Sequence, residues 1–304
     1  MSKEKKYFFI VNPTANNGQA LAVWQQLQSF LDAEQIGYSF AVSKSITDVE
    51  ELARAAAQKE FVVVGVGGDG TLSRIAGALA GTRATLGLIP AGTGNDFART
   101  YQIPADPQAA MQIILAGHTV NLDLGIVNGR YFYNAVGSGL DAAVVADANL
   151  TFKKIGGSFG YLLALLRQLI FYRPQRIKIT VNDEVHIVKA WLVTVANACY
   201  YGSGMKIAPL ADPEDGLLDV IVVLDVHRLN FLRLFPRVYR GQHIFHPAVR
   251  VWRGTKIAVE AESPLAVQVD GDLFGQTPLS VTMKAAVVQL LVPPQHKTTD
   301  SCEE

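Results

Sequence analysis

Cysteine is nearly absent from the 304 residues: Cys199 and Cys302 stand far apart and in no C-x-x-C pattern. That excludes a disulfide framework and a structural zinc site of the usual kind, and fits a reducing, cytoplasmic setting. An excess of one charge is missing too, since Lys plus Arg and Asp plus Glu both total 27. Nothing global attracts nucleic acid, and none is expected as a partner; anions must be met by a local arrangement. Long apolar runs are also lacking. The run after "MSKEKK" stops at Asn12-Pro13, too early for a signal peptide. The stretch Tyr161 to Tyr172 is broken by Arg167 and too short to span a bilayer. No low-complexity linker, module-level repeat or G-x-x-x-x-G-K-[ST] occurs, and no G-x-G-x-x-G opens a first βαβ unit, so the P-loop and Rossmann readings fail. Apolar residues are plentiful at 49% against 18% charged, enough for a sizeable core.

Periodicity divides the chain. Up to about residue 118, strand and helix patterns alternate, which predicts a parallel sheet covered on both faces. Expected strands are Tyr7–Val11, Tyr38–Val42, Phe61–Val66 and Leu86–Ile89. A first helix would bury Leu21, Trp24, Leu27 and Leu31; a second would begin at Thr47, with Glu50 completing a capping box. From Val120 short strands dominate, some joined at Asn128-Gly129 and Asn182-Asp183. Helical patterning is seen there only near Gly157–Tyr172 and Val226–Arg240. The expected organisation is an α/β domain over 1–118, a β-rich domain over 119–292 and a disordered tail over 293–304.

The stretch "GVGGDGTLSRI" sets glycines at the carboxyl end of a strand and directly before a helix, where open α/β sheets bind ligands. Glycine lets backbone N–H groups close around phosphate oxygens, and the helix N-terminus adds donors. A tight turn would use the same residues. The balance moves because the next strand ends in "PAGTGNDF" and the first in "NPTANNG", so three successive strands end in polar or glycine-rich loops. Together they read as a nucleotide site.

"GGDGT", "PAGTGNDFAR" and the N-terminal "NPTANNG" closely resemble the diacylglycerol kinase and sphingosine kinase catalytic family, above all its bacterial lipid-kinase branch. "APLADPEDGLLDVIVV" and "VQVDGD" follow in the expected order, so the resemblance covers nearly the whole chain. GGDGT alone is shared with NAD kinases and phosphofructokinase-like proteins; the G-T-x-N-D-F extension is far more specific. The resemblance implies a three-layer α/β domain of the NAD kinase/diacylglycerol kinase type, a β-rich second domain and a nucleotide cleft between them. It implies ATP and Mg²⁺ as cofactors. Purine and ribose would lie near Asn12, Pro13, Thr14, Ala15, Asn16, Ser43 and Thr93, and the triphosphate over Gly67, Gly68, Gly70 and Thr71. Asp69 would organise the metal–nucleotide centre. Asn95 and Asp96 could touch nucleotide or cap the helix that starts there, and Arg99 could face phosphate or pair with an acid.

Two acidic clusters lie further on. "LADPEDGLLD" carries Asp212, Glu214, Asp215 and Asp219 in a good turn sequence. The resemblance adds a structural Mg²⁺ there, held by the Asp215 carboxylate and the carbonyls of Asp212 and Leu217. "QVDGDLFG" offers Asp270 and Asp272, either a hairpin turn or a proton acceptor for an attacking hydroxyl. The family usually has D-G-E, its second acid being the base; that position is Asp272 here, a shorter side chain. Asp270 is the alternative, or the pair share the role or hold a second Mg²⁺.

The resulting expectation is an ATP- and Mg²⁺-dependent lipid kinase, with diacylglycerol as acceptor and phosphatidic acid as product. Phosphatidylglycerol, a sphingoid base and an undecaprenyl alcohol stay open as acceptors. NAD kinase and a non-catalytic nucleotide or lipid sensor are the competing readings. The segment Val226–Arg240 puts Arg233, Arg237 and Arg240 on one helical face and Phe231, Leu234, Phe235 and Val238 on another. That pattern suits either a packed helix or peripheral contact at the inner face of the membrane. Lys153, Lys154 and Lys206 could steady phosphates, His243 and His246 lack a third zinc ligand, and a homodimer is implied only by the family.

Overall fold

A computed structural model describes residues 6–59, 61–151 and 157–296. The chain forms two compact units, Met1–Leu124 with Lys284–Glu304, and Gly125–Met283.

In the first unit, strands β1 (Tyr7–Val11), β2 (Tyr38–Val42), β3 (Val62–Gly67) and β4 (Thr85–Pro90) alternate with helices α1 (Gln19–Ala33), α2 (Ile46–Gln58) and α3 (Asp69–Leu79). The short α4 (Asp96–Thr100), α5 (Pro107–Ala116) and β5 (Thr119–Val127) follow. The sheet is parallel in the order β4-β3-β1-β2. Its middle strands read as continuous apolar runs because both faces are covered. Register sets Val11 opposite Val42 and Val66, and Val66 opposite Ile89. The carboxyl ends of four strands are therefore level, and the loops after them share one edge. Helix α1 turns Trp24, Leu27 and Leu31 inward, and Trp24 packs against Phe9 at 5.0 Å between ring centroids. Each such buried large side chain contributes about 2 kcal/mol. Leu21 is exposed, and Ala20 takes the inward position expected of it. The capping box of α2 lies two residues before Thr47: Ser45 accepts the Asp48 N–H at 3.1 Å, and Asp48 accepts the Lys44 N–H at 2.7 Å. Aspartate does there what the sequence reading gave to Glu50, which instead pairs with Arg74 and Arg54.

The second unit is antiparallel. Its elements are β6 (Arg130–Phe132), β7 (Ala135–Gly139), α6 (Leu140–Leu150), α7 (Gly157–Phe171), β8 (Gln175–Val181), β9 (Glu184–Ala196) and β10 (Leu218–Leu224). Then come α8 (Arg228–Leu234), β11 (Val249–Gly254), β12 (Lys256–Ala261), β13 (Ala266–Val269), β14 (Asp272–Gln276) and β15 (Leu279–Leu291), whose residues from Lys284 on belong to the first unit and pair parallel with β4. The long β9 pairs with β7, β8 and β10. One cluster of Val, Ile and Leu side chains joins the strands to one another. A second packs α6, α7 and α8 around Trp191. Two-residue turns fall where the sequence marks them: Asn128-Gly129 and Asp270-Gly271 both have positive φ at each position.

Helix α6 was not anticipated. "LDAAVVADANL" buries its acids Asp141 and Asp147 along with its apolar residues, so no solvent-facing polar stripe reveals a helical period. Residues 293–296, assigned to a disordered tail, turn back so that His296 lies against Tyr101, 5.0 Å between ring centroids; residues 297–304 lie outside the described residues. So do Lys153, Lys154 and Cys302. Among the described residues no helix is long and apolar enough to cross a membrane.

Candidate functional site

The three loops at the carboxyl edge of the first sheet are tied to one another. Asn12 Nδ2 donates to Thr71 Oγ1 at 2.7 Å, and Asn12 Oδ1 accepts the Thr14 N–H at 3.1 Å and its hydroxyl at 2.9 Å. Thr93 Oγ1 donates to Asn16 Oδ1 at 3.3 Å. Asn95 is turned onto its own loop: Oδ1 accepts the Gly92 N–H at 2.9 Å and Nδ2 donates to the Gly92 carbonyl at 3.1 Å. Ser43 is buried and donates to the Val11 carbonyl at 3.2 Å. Asn95 and Ser43 thus spend their polar atoms on the loops themselves.

The glycines divide in the same way. A Cβ on Gly92 would stand 2.4 Å from the Gly68 Cα, and one on Gly67 would strike Thr71. What approaches these positions is protein: two glycine loops in backbone contact and a threonine. Gly70 differs, since a Cβ there would meet nothing within 4 Å. It lies in the first turn of α3, facing open space, and is where a phosphate could approach.

Asp69 begins α3, and its Oδ1 accepts the Phe97 N–H at 2.8 Å. Burial and the neighbouring Asp96 charge push its carboxyl up to about 6, against the pull of backbone N–H groups. Asp96 is itself buried and pairs with Arg99 at 3.5 Å. Asp123, which the sequence reading passed over, is buried and accepts the Ala286 N–H at 2.6 Å. Asp69 and Asp96 are two close acids with a cost in charge that a cation would relieve. With an open N-terminal turn beside them they fit a Mg–nucleotide, phosphate oxygens completing the metal's shell.

The Asp212–Leu217 loop does not fit a metal. Asp215 Oδ1 accepts the Leu217 N–H at 2.9 Å, and Oδ2 is ion-paired with Arg253. The Asp212 carboxylate accepts the Glu214 N–H at 3.0 Å, and its carbonyl accepts the Asp215 N–H at 3.3 Å. Arg253 also reaches the buried Asp219 at 3.2 Å. A guanidinium therefore supplies the positive charge expected of Mg²⁺. Among the described residues no three His, Cys, Asp or Glu side chains are placed to hold an ion.

Asp270 and Asp272 separate cleanly. Asp270 accepts three backbone N–H groups, from Tyr133 at 3.1 Å, Asn134 at 2.9 Å and Ala135 at 3.1 Å. It clamps the hairpin to the segment before β7. Asp272 is 46% exposed and paired with Arg130 at 2.9 Å, whose guanidinium lies over the Phe274 ring.

A further cluster lies inside the second unit. Asp141 is buried; Oδ1 accepts from Tyr161 at 3.3 Å and Tyr201 at 3.1 Å, and Oδ2 from Gln268 at 3.0 Å. Burial raises its pKa, and these three hydrogen bonds oppose the rise. The group borders an apolar slot whose walls include Val144, Leu165, Phe231 and Val238. It holds about 550 Å³ of empty space, part of it open to solvent. A signal for Asp141 was present in the sequence: "GSGLD" ends β7 and opens α6, as "GGDG" ends β3 and opens α3. His243 and His246 serve locally. His243 Nε2 lies 2.9 Å from the Ile207 carbonyl, and His246 accepts the Ala248 N–H. Lys206 is buried with its ammonium over Tyr200.

Residues 6–127 match the family model for the diacylglycerol kinase catalytic domain, and residues 134–292 that for the YegS C-terminal NAD kinase beta sandwich-like domain. A diacylglycerol kinase of Mycobacterium tuberculosis is 33% identical over 292 residues, covering 93% of this chain and 94% of that one. One from Bacillus subtilis is 29% identical, covering 90% and 92%. A solved structure of a candidate diacylglycerol kinase from Bacillus anthracis superposes with a TM-score of 0.80 at 26% identity, covering 96% of each chain. These two domain matches, which together span nearly the whole chain, and the 33% identical relative show that the chain belongs to the bacterial diacylglycerol kinase family.

Proposed function

We propose that the protein transfers the γ-phosphoryl group of Mg–ATP to the free hydroxyl of diacylglycerol, giving phosphatidic acid. The carrying observation is the slot beside Asp141: apolar along its length and polar at one cluster, it suits an acyl chain with an oxygenated head. A soluble dinucleotide would need polar groups throughout, which argues against an NAD kinase.

In the reaction the hydroxyl oxygen bonds to the γ-phosphorus, the bond from phosphorus to the β–γ bridging oxygen breaks, and ADP leaves. The hydroxyl proton passes to a carboxylate. Asp272 is the proposed acceptor, because it is accessible whereas Asp270 is saturated by three N–H groups. Arg130 orients Asp272 through their ion pair. Asn12, Thr71 and Thr93 fix the loops around the nucleotide, and Gly70 leaves room for phosphate. Mg²⁺, when bound with the nucleotide, would neutralise phosphate charge beside Asp69. Catalysis then rests on positioning and electrostatics rather than a covalent intermediate.

The test is transfer of labelled γ-phosphate to a lipid panel in mixed micelles: diacylglycerol, phosphatidylglycerol, a sphingoid base and undecaprenol, with NAD in parallel. Label in diacylglycerol, lost in Asp69→Asn and Asp272→Ala, supports the reading. Label chiefly in another lipid changes the acceptor. Label only in NAD, or ATP bound with no transfer, sinks it in favour of an NAD kinase or a sensor.

A further inference from the structure

The helices that wall the apolar slot show a second apolar side outward. On α7, Tyr161 and Leu165 face the slot, while Leu162, Leu166 and Ile170, spaced four apart, form an exposed stripe. Ile170 and Phe171 are 65% and 71% exposed at its end. On α8, Phe231 and Leu234 face the slot, and Leu229 and Leu232 face out. The two helices are joined at this edge: Arg228, which opens α8, donates to the Leu169 carbonyl at 2.7 Å and to the Ile170 carbonyl at 3.3 Å. The 3-10 segments that continue from α8, Phe235–Arg240 and Gln242–Phe245, expose Tyr239 and Phe245. Nearly half of the exposed large apolar side chains among the described residues sit on this one layer.

The charge of the layer has one sign. No Asp or Glu occurs between Gly157 and Pro174 or between Val226 and Val259. Arg228, Arg233, Arg237 and Arg240 are exposed among the apolar residues. The acids at its margin are already engaged, Asp225 with Lys189 at 2.9 Å and Asp147 with Arg167 at 2.5 Å. Apolar side chains interleaved with arginine match both parts of an anionic bilayer surface, acyl boundary and headgroup charge. A protein partner would call for no such uniform charge.

We infer that the outer face of α7, α8 and the 3-10 segments after them docks on an anionic lipid surface. The inference rests on the lipid-kinase reading and deepens it: the layer that touches the bilayer is the layer that walls the slot. A lipid leaving the membrane would have to pass only between side chains of these helices to reach Asp141. Pro236 ends α8 as a regular helix and divides this layer into short pieces, which can shift with less cost than one long helix.

The test is co-sedimentation of the full chain with phosphatidylcholine vesicles, with or without one third phosphatidylglycerol. Two variants are compared, Arg233→Glu/Arg237→Glu and Leu229→Asp/Ile170→Asp, and thermal melts confirm that both fold. Expected are binding to the anionic vesicles alone and a loss on the order of a hundredfold in the charge variant. The apolar variant should lose binding at low and high salt alike. Transfer to a short-chain diacylglycerol below its micelle concentration should be unchanged in both. Folded variants that bind like the wild type would overturn the surface. So would a change from dimer to monomer with vesicle binding intact, which would make this face a contact between copies. Vesicle binding lost in the variants, with no lipid phosphorylated by the wild type, would leave the surface standing and remove the kinase reading instead.

Discussion

Two single alanines, one at Gly92 and one at Gly70, separate packing from ligand contact in the glycine loops. At Gly92 an added Cβ would come to 2.4 Å from the Gly68 Cα, where ordinary contact is 3.4 Å or more. The obstacle is backbone on a loop held by the Asn95 amide and by the Ala91 N–H to the Gly67 carbonyl at 2.9 Å. The loops must part by about an ångström, an overpacking cost of about 1–3 kcal/mol. At Gly70 the Cβ meets nothing within 4 Å and the residue is helical, so alanine removes glycine's entropic penalty and adds about 0.5–1 kcal/mol of stability. Urea denaturation without nucleotide should therefore rank the proteins Gly70→Ala above wild type above Gly92→Ala. ATP affinity, by calorimetry or nucleotide-dependent melting, should not follow that order. If phosphate lies against Gly70, the more stable variant binds ATP about 5- to 150-fold more weakly, the same 1–3 kcal/mol now charged to the ligand. Gly70→Ala that binds ATP normally would refute phosphate approach there. Gly92→Ala with undiminished stability would refute the packing argument.

Other perturbations follow from single contacts. Asp69→Asn should stabilise the nucleotide-free protein while abolishing transfer. The folded carboxyl, at about 6, keeps a proton that the unfolded chain releases near pH 4, so stability falls as pH rises between those values and is level above. The gain at neutral pH is about 3 kcal/mol at most and vanishes below pH 4; urea titrations at both pH values check it, and an equal effect at each would refute it. Asp270→Asn should lose about 1–3 kcal/mol, because one carbonyl oxygen cannot accept three N–H groups. Asp272→Asn should melt near the wild type but lower kcat; the opposite ranking would exchange their roles. Arg253→Gln should cost roughly 2 kcal/mol by stranding Asp215 and the buried Asp219, and only this variant should melt higher with millimolar Mg²⁺ in the absence of nucleotide. A wild-type melting temperature that falls on chelation would instead restore the metal at this loop.

How much of this was legible beforehand depended on how local the cause was. Strands β1, β3 and β4 could be read because each is a short apolar run ended by Asn, Gly or Pro, and β2 because it alternates; the level register of a parallel sheet then brings their loops to one edge. The hairpins could be read because Asn-Gly and Asp-Gly carry the positive φ that such turns require. Helix α6 could not, since its acids are buried with its apolar residues and leave no polar stripe facing solvent. The duties of Asp215, Asp270 and Asp272 were illegible for a different reason. Each is decided by a partner far along the chain, Arg253 for the first, the Tyr133–Ala135 backbone for the second and Arg130 for the third.

The same distance rule explains why the glycine motif alone does not say what excludes its side chains. "GGDGT" reads as a phosphate cradle because local sequence shows only that side chains are excluded, not what excludes them. For Gly68 it is Gly92, a residue in the next loop, and for Gly67 it is Thr71. Asp69 and Asp141 both stand at strand-to-helix turns, the first half-buried and the second fully buried, and desolvation raises the pKa of each. A charge kept in that condition costs the empty protein stability, and the cost is recovered only when something cationic or hydrogen-bond-donating arrives. Under the kinase reading proposed above, Asp69 would meet the metal–nucleotide and Asp141 the oxygenated head of the acceptor. Asp141→Leu, isosteric enough to keep the slot filled, should therefore raise KM for the lipid while leaving ATP affinity untouched, and a matched loss of ATP affinity would show that Asp141 only supports the fold.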